Sequence, residues 1–353
     1  MFLRKSILTK MIAGTVVPAI LLISTALFVV INITRSALIK ANIESLSANA
    51  DTISAKTEDF LNTNAAFAES LASNPEIQAM LLTTPVGKKL IESEYVDIVT
   101  KTLKSVVDIE PDTILQTWNA DFDSNTGFDS TGTPFPDGFD MTSRPWYKVT
   151  ETKNTVVTDP YIDVMTGKLV TTLASPIFDE SGNVIGALGV DLTVDGLSTS
   201  IQQHKIGENG VTILVSKNGV VISAPEKDFV GKNIAELDIP ATLKENVQSK
   251  KVGDMKYAFG TANMVGYLSL VGDHEWVTIA SVPETQFEDQ IAKTTRILLL
   301  IFISGTTIVI AITLLTTLGI VRPIKKLAVA ANEIADGKLD VTLNVKSIDE
   351  TGK

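Results

Sequence analysis

Cysteine is absent from the 353 residues of this chain, and histidine occurs only twice, at His204 and His274. The lack of cysteine excludes a disulfide framework, a thiolate metal site and a cysteine nucleophile. The two histidines have no metal-ligand spacing around them, which argues against a zinc site and against histidine acid–base chemistry. The chain is also short of positive charge, with a formal net charge of −11, which argues against nucleic acid as a partner. We therefore expect a protein that is not an enzyme and that needs no metal or cofactor.

Charge is missing altogether from two long segments. Met11–Ile33 holds 23 residues without a charge and Ile297–Val321 holds 25. A membrane-spanning helix needs about 20 such residues. The alternatives are a cleaved signal peptide for the first segment and a buried core helix for the second, and both segments are long for those roles. The sequence therefore predicts two transmembrane helices, at 11–33 and 297–321.

Lysine and arginine are unevenly distributed around these two segments. Within about twenty residues of the segment ends, the terminal side carries Arg4, Lys5, Lys10, Arg322, Lys325, Lys326 and Lys338, and the loop side carries Arg35, Lys40, Lys293 and Arg296. The positive-inside rule places the termini, 1–10 and 322–353, in the cytoplasm. Residues 34–296 then form one extracytoplasmic domain of a multi-pass protein of the inner (cytoplasmic) membrane.

A heptad-like stripe of apolar residues follows the first span and predicts a long amphipathic helix. The stripe comprises Ile43, Leu46, Ala50, Ile53, Phe60, Phe67 and Leu71, and it is interrupted by Thr57 and Asn64. Asn74-Pro75 is expected to end the helix. The stripe must pack against its own domain, against a helix of a second copy, or against both.

Two sets of strand-like segments follow, each accompanied by helices, which predicts an α+β fold with two lobes, at about 76–195 and 204–283. Shorter helices are expected over 76–110 with a break at Val86-Gly87, and Asn119–Asp140 is rich in turn residues. The first lobe has strands at Thr113–Trp118, Val156–Thr158, Leu169–Ile177 and Val184–Val190 and a helix at Val194–Gln203. The second has strands at Val211–Ser216, Val220–Ser223, Lys256–Phe259, Met264–Ser269 and Trp276–Val282 and a helix at Ile234–Gln248. A helix at Glu284–Lys293 is expected to continue into the second span.

The acidic run Asp121–Asn125 invites a calcium-loop interpretation. However, Gly127 lies one place late for an EF-hand, and Gly132 stands where the bidentate glutamate belongs. We expect an Asx-rich turn here.

Arg144-Pro145-Trp146-Tyr147 and the later Asp191 contain the groups needed to hold a small zwitterion. Arginine matches a carboxylate with a planar fork of donors, and a carboxylate such as Asp191 can face an ammonium group. Tryptophan and tyrosine supply flat apolar walls with one polar group each. The alternatives are that the aromatics belong to the core, that Arg144 is a surface charge, and that Asp191 is a turn or strand-end carboxylate.

A long helix, two antiparallel-sheet lobes and flanking spans resemble the double Cache sensor domains of bacterial transmembrane receptors, whose lobes are PAS-like. Six residues match the amino-acid-binding pattern of that family's membrane-distal lobe, namely Phe139, Arg144, Trp146, Tyr147, Tyr161 and Asp191. The resemblance implies that Arg144 and Trp146 hold the α-carboxylate of an amino acid. It implies that Tyr147 and Asp191 hold the α-ammonium, with Tyr161 and Asp163 completing the amino side. The family has a tyrosine where this chain has Phe139, so one hydroxyl is lost.

After the second span, Arg322–Leu327, the turn Asp336–Leu339 and the ending Asp349–Lys353 resemble the first helix, connector and second-helix entry of a HAMP module. The output module is expected beyond Lys353. The resemblance implies a homodimeric chemoreceptor of the methyl-accepting type that binds an amino acid and acts on cytoplasmic signalling proteins. The alternatives are the sensor of a histidine kinase or cyclic-dinucleotide synthase, and a Cache receptor for amines, purines or organic acids.

Overall fold

The computed structural model describes residues 7–337 except Val86 and Glu208. The predicted break at Val86, the terminal-side Arg4 and Lys5, and the HAMP-like residues from Lys338 onward lie outside the described residues. The chain divides into two compact units, one formed by Met1–Lys40 with Phe287–Lys353 and the other by Ala41–Gln286.

The structure confirms the α+β fold class, and its elements alternate as the residue patterns predict. The helices are α1 (Ile7–Ala72), α2 (Pro75–Thr83), α3 (Val96–Val107), α4 (Val149–Thr152), α5 (Val194–Gln202), α6 (Ala241–Gln248) and α7 (Glu284–Ala335). The strands are β1 (Ile114–Asp121), β2 (Thr126–Asp129), β3 (Val156–Val157), β4 (Tyr161–Ile162), β5 (Leu169–Phe178), β6 (Val184–Thr193), β7 (Val211–Val215), β8 (Val221–Ser223), β9 (Gly253–Phe259), β10 (Ala262–Val271) and β11 (Trp276–Pro283).

The smaller unit contains the apolar parts of α1 and α7, and both helices are long and apolar enough to cross a membrane. Their apolar side chains are largely exposed, as at Leu22 (72%), Phe28 (70%) and Leu315 (71%). Exposure of such side chains to water is unfavourable by about 25 cal/mol per Å² of apolar surface. A hydrocarbon environment removes that penalty, so the exposure fits two membrane-anchoring helices.

The larger unit contains two antiparallel sheets, as expected. The first has the strand order β2-β1-β6-β5-β3, with β4 paired to β5, and the second has the order β8-β7-β11-β10-β9. The two strand orders correspond. From one edge to the other, each sheet contains its second, first, last, second-to-last and third strand in chain order. We refer to the first sheet and its covering segments as the distal lobe and to the second as the proximal lobe.

Several boundaries differ from the sequence predictions, and three of the differences bear on the site or have a clear local cause. The turn-rich stretch after Trp118 contains the end of β1 and all of β2, which are paired in a hairpin. Strand β6 runs to Thr193, so Asp191 lies within a strand and not after it. Helix α6 begins at Ala241 instead of Ile234. Pro240 explains this last difference, because a proline disfavours helical geometry in the residue before it.

The apolar stripe of α1 packs against its own unit. Leu46, Ala50, Ile53 and Leu71 are buried there, and Thr57 and Asn64 are buried with them and so do not interrupt the stripe. The predicted stripe members Ile43, Phe60 and Phe67 are only half-buried, and Leu61 and Ala68 are the buried neighbours of the two phenylalanines. The side chains of both polar residues bond to the helix itself, Thr57 Oγ1 to the carbonyl of Ile53 and Asn64 Nδ2 to the carbonyl of Phe60. Such back-bonding lets a polar side chain occupy a buried helix face.

The two faces of the distal sheet have different neighbours. On one face of β1, Thr117 Oγ1 donates to the carbonyl of Leu103 in α3, and Asn119 Nδ2 lies 3.5 Å from the sulfur of Met80 in α2. Successive side chains of a strand point to opposite faces. Gln116 and Trp118 therefore point away from the helices, to a face that we call the site face.

Candidate functional site

Asp191 lies on the site face at the centre of the distal sheet and is only 1% exposed. Strands β1 and β5 flank it and place Gln116 and Thr172 directly opposite in register. Asp191 Oδ2 accepts hydrogen bonds from Gln116 Nε2 (2.9 Å) and Trp118 Nε1 (3.0 Å), and Oδ1 accepts one from Thr172 Oγ1 (2.6 Å). Three neutral donors orient this carboxylate, and none of them neutralises its charge.

Tyr161 extends this network from β4. Its hydroxyl lies 2.7 Å from Thr172 Oγ1. Because the single hydroxyl proton of Thr172 is directed to Asp191, Tyr161 is the donor in this pair. A chain of hydrogen bonds therefore runs from Tyr161 through Thr172 to Asp191.

Burial is the main influence on the pKa values of Asp191 and Tyr161. It raises the pKa of Asp191 from its ordinary 3.8 to about 6, although the three hydrogen bonds oppose the rise and the nearby Asp163 adds to it. Burial also raises the pKa of Tyr161, the carboxylates of Asp191 and Asp163 add to the rise, and Arg144 opposes it. An ionised Asp191 is thus poorly stabilised, and an added cation would stabilise it.

Arg144 precedes a short 3-10 helix, Pro145–Lys148, and adopts extended geometry with φ −85° and ψ 141°. This is the conformation that the following proline favours. Its Nε atom is buried without a hydrogen-bond partner. Within the described parts of the chain, no carboxylate lies within ion-pair distance of its guanidinium, which instead lies 4.8 Å from the centroid of the Phe139 ring. The guanidinium therefore keeps donors available for an anion.

A continuous set of aromatic rings surrounds these charged groups. Trp146 is buried and lies 4.5 Å from Trp118, measured between ring centroids. Tyr147 is half-buried and lies 6.4 Å from Trp146. These rings belong to one hydrophobic cluster that also contains Phe122, Phe135, Phe139, Met141 and Tyr161. Asp191 is buried beside this framework and Arg144 is half-buried, and the low-dielectric surroundings strengthen the interaction of a bound charge with Asp191 in particular.

Asp163 has a more local role. Its Oδ2 accepts hydrogen bonds from the backbone N–H of Thr166 (2.8 Å) and from Thr166 Oγ1 (2.6 Å), which closes the turn after β4. Its charge still reaches Asp191 and Tyr161, since it raises the pKa of both. The structure thus brings the seven predicted site residues into one region. The Oδ2 atom of Asp163 is used in hydrogen bonds that hold the turn after β4.

Three residues of the network, Gln116, Trp118 and Thr172, were not among the predicted site residues. All three point to the site face from neighbouring strands, with Trp118 on the same strand as Gln116. The pattern of β1 does not mark them, because Thr117 and Asn119 on the opposite face are polar as well; only the register of the assembled sheet does.

The acidic run at Asp121 forms a turn, as expected. Asp121 accepts hydrogen bonds from the backbone N–H groups of Asp123 and Ser124, which is the geometry of an Asx turn. No group of three or more acidic or histidine side chains in the described residues could hold a metal ion.

Comparison with known proteins places these features in a family context. The family model dCache_1, described as a Cache domain, matches residues 32–291, and the HAMP domain model matches residues 315–353. The methyl-accepting chemotaxis protein McpC of Bacillus subtilis (strain 168) is 29% identical over 314 residues, which cover 84% of this chain and 45% of McpC. The methyl-accepting chemotaxis protein PscA of Pseudomonas syringae pv. tomato is 29% identical over 62% of this chain and 34% of PscA. The chain therefore spans less than half the length of these relatives.

Solved structures of ligand-binding domains resemble a large part of this chain. The ligand-binding domain of the Pseudomonas aeruginosa PAO1 amino acid chemoreceptor PctB, in complex with L-Arg, has a TM-score of 0.54 at 21% identity and covers 69% of this chain and 96% of its own. The ligand-binding domain of the Pseudomonas fluorescens chemoreceptor CtaA, in complex with L-isoleucine, has a TM-score of 0.56 at 20% identity and covers 73% of this chain and 98% of its own. At these identities the likeness shows a shared fold.

Proposed function

This chain belongs to the Cache-domain family, with a match to HAMP at its C-terminal end, and from that premise we propose that it is the sensor part of a transmembrane chemoreceptor that binds an amino acid in its distal lobe. The relatives McpC and PscA are methyl-accepting chemotaxis proteins, which supports the chemoreceptor part of the proposal. The amino-acid part rests on the site.

The observation that carries the proposal is the pairing of two unsatisfied charges on one aromatic framework. Among the residues that the structure describes, none forms an ion pair with the guanidinium of Arg144, and none supplies a cation to the buried carboxylate of Asp191. An α-amino acid supplies the complement of each charge on adjacent atoms. Charged hydrogen bonds of this kind contribute about 1.5–3 kcal/mol each. The solved neighbours PctB and CtaA hold L-Arg and L-isoleucine, which is consistent with this assignment.

In the proposed complex, Arg144 and Trp146 bind the α-carboxylate, and Asp191 binds the α-ammonium. Tyr147 and Tyr161 contact the amino side, and Asp163 contributes negative potential there. Phe139 orients the guanidinium through its ring. A ligand that lacks either charge leaves a buried group of the protein unpaired, so amines and organic acids are expected to bind more weakly.

The test is a ligand panel on the full chain in detergent. A ligand that binds only the folded state raises the unfolding temperature. We expect some L-amino acids to raise it, and we expect the matching amines and carboxylic acids, each lacking one charge, to leave it unchanged. A complete panel of L-amino acids with neither a thermal shift nor a calorimetric heat would refute amino-acid binding.

Binding is expected to depend on pH through Asp191. The ligand's ammonium favours the ionised carboxylate, so the pKa of Asp191, about 6 in the free chain, falls in the complex. Affinity should therefore be constant above about pH 7 and fall up to about tenfold per unit below pH 6. Calorimetric titrations with one amino acid between pH 5 and pH 8, about the range that brackets this transition, would measure the profile. An affinity that stays constant to pH 5 would argue that Asp191 does not face the ammonium.

We further propose that the receptor lies in the cytoplasmic membrane, with residues 34–296 outside the cytoplasm, and that it works as a homodimer acting on cytoplasmic signalling proteins. Most of the stripe of α1 is buried within its own unit and only Ile43, Phe60 and Phe67 are half-buried, so the homodimer rests mainly on the family resemblance. Light scattering of the detergent-solubilised chain measures its oligomeric state. A strictly monomeric chain at high concentration would contradict the homodimer.

A further inference from the structure

The proposed binding groups are covered in this structure. Asp191 is 1% exposed and Trp146 is 3% exposed, and the ring of Phe139 lies over the guanidinium of Arg144. A ligand ammonium therefore reaches Asp191 only after a covering segment moves. Segments that open locally are those with few buried contacts, so the movement is expected in a weakly held cover of the site.

A turn at residues 136–139 covers the arginine side of the site. Pro136, Asp137 and Gly138 are exposed, and Phe139 is half-buried. Gly138 has φ +77°, which glycine adopts without strain, and a Cβ atom there would meet nothing within 4 Å. The turn therefore packs on the rest of the lobe through one half-buried ring.

The chain is fixed on both sides of this turn. Before it, the backbone N–H of Phe135 donates to the carbonyl of Gly127 in β2 (2.8 Å). After it, Asp140 Oδ1 accepts hydrogen bonds from the backbone N–H (3.0 Å) and the hydroxyl (2.6 Å) of Thr142. These contacts confine a local movement to the four residues between them.

Two side chains from other segments hold the turn down. Lys89 Nζ lies 2.5 Å from Asp137 Oδ1, and Asn125 Nδ2 donates to the carbonyl of Phe139 (3.2 Å). The side chains of Lys89 and Asp137 are 48% and 87% exposed, so water and salt weaken their ion pair. Lys89, Asn125 and part of the turn also line a cavity of about 160 Å³. The turn is thus fastened at a few points and is not packed over its whole width.

We propose that residues 136–139 form a lid over the ligand site, and that the ion pair between Lys89 and Asp137 is a latch that holds the lid closed. Opening lifts the Phe139 ring from the guanidinium of Arg144 and admits the amino acid. Closing returns the ring and shields the bound charges from water. The lid rests on the proposed function for its ligand, whereas the latch is a property of the ligand-free chain.

Met141→Cys allows lid opening to be measured without a ligand. Met141 is 1% exposed, lies just after the lid and packs in the same hydrophobic cluster as Phe139. The native chain has no cysteine that could react in its place. In the full chain in detergent, N-ethylmaleimide should label this thiol slowly, because the thiol is reached only when the lid is open. Adding Lys89→Ala should raise the labelling rate about two- to fivefold, the range expected for loss of an exposed ion pair.

Lys88→Ala is the matched control for Lys89→Ala. Lys88 is the preceding residue, is also exposed and pairs with Glu92 (3.3 Å) instead of with the lid. Its removal changes the net charge equally and should leave the labelling rate unchanged. An equal acceleration by Lys88→Ala would show that general charge, and not the latch, controls opening.

Exchanging the two charges of the latch separates an ion pair from a general loss of structure. Lys89→Asp and Asp137→Lys should each accelerate labelling, and the double variant should restore the slow rate because opposite charges face each other again. Equal rates in all four chains would overturn the latch. If Met141→Cys does not fold, amide hydrogen exchange of residues 137–139 in the cysteine-free chains gives the same comparison.

Amino acids test the lid separately from the proposed function. Each L-amino acid that raises the unfolding temperature should also slow the labelling of Met141→Cys, because it binds the closed state more tightly than the open one. An amino acid that binds by calorimetry and leaves the labelling rate unchanged would overturn the lid. A panel without any binding, in chains where Lys89→Ala still accelerates labelling, would refute amino-acid binding and leave the latch standing.

Discussion

Arg144→Ala should lower amino-acid affinity at least about a hundredfold, which corresponds to about 2.7 kcal/mol. The variant leaves the ligand's carboxylate buried without a charged donor, and truncation of one side of such a pair costs about 2–5 kcal/mol. The ligand-free fold should change little, because Arg144 forms no ion pair among the described residues and its Nε atom has no hydrogen-bond partner. The expected cost to the fold is the contact with the Phe139 ring, about 0.5–1 kcal/mol.

Lys148→Ala is the matched control for this prediction. Lys148 is an exposed cation four positions further along the chain, so its removal changes net charge equally without touching the site. Calorimetry should show full affinity in this variant. Arg144→Lys should recover only part of the loss, because an ammonium cannot reproduce the planar two-donor fork. Normal affinity in Arg144→Ala would refute its assignment to the carboxylate.

Asp191→Asn should lower affinity by a similar factor at neutral pH, because the ligand's ammonium loses the buried carboxylate that it is proposed to face. The variant should also change how stability depends on pH. In the native chain the raised pKa means that the contribution of Asp191 to stability is present below pH 3.8 and is lost as pH rises towards about 6. Unfolding temperatures of the ligand-free chain across this range should show that decline, and Asp191→Asn should reduce it.

Asp121→Asn is the matched control for Asp191→Asn. Asp121 is also buried in β1 with a pKa raised mainly by burial, and it points to the helix face of the sheet. Its replacement should leave amino-acid affinity unchanged. Binding that survives in Asp191→Asn, or that is lost equally in Asp121→Asn, would show that the ammonium does not face Asp191.

The sequence was informative wherever a residue's own chemistry determined its place. The extended geometry of Arg144 follows from Pro145, and the two apolar segments form long helices because of their composition. The turn-rich stretch concealed β2, because its glycines and aspartates favour turns while pairing with β1 stabilises a strand. Pro240 similarly delayed α6, although the surrounding residues favour a helix.

The partners of Asp191 show where sequence patterns stop being sufficient. Gln116 and Thr172 are 56 residues apart in the chain, and they meet at one carboxylate only because β1 and β5 both pair with β6 in a particular register. Register is a property of the assembled sheet, so neither residue can be identified as a neighbour from its own segment. Arg144, Trp146, Tyr147 and Asp191 could be recognised by their chemistry and Phe139, Tyr161 and Asp163 by the family resemblance, whereas the network that orients Asp191 depends on tertiary pairing.

Because the site depends on strand register, only a correctly paired distal sheet can bind the ligand. A one-residue slip of β1, β5 or β6 would turn Gln116, Thr172 or Asp191 to the helix face, because strand side chains alternate with a period of two. A misregistered chain would then be unable to hold the ligand even if it were compact. An amino acid that binds the correct register selectively would act as a folding ligand, drawing newly made chains towards the native pairing by mass action. Single-residue insertions should accordingly be tolerated in the Thr131–Gly138 loop far better than within these three strands.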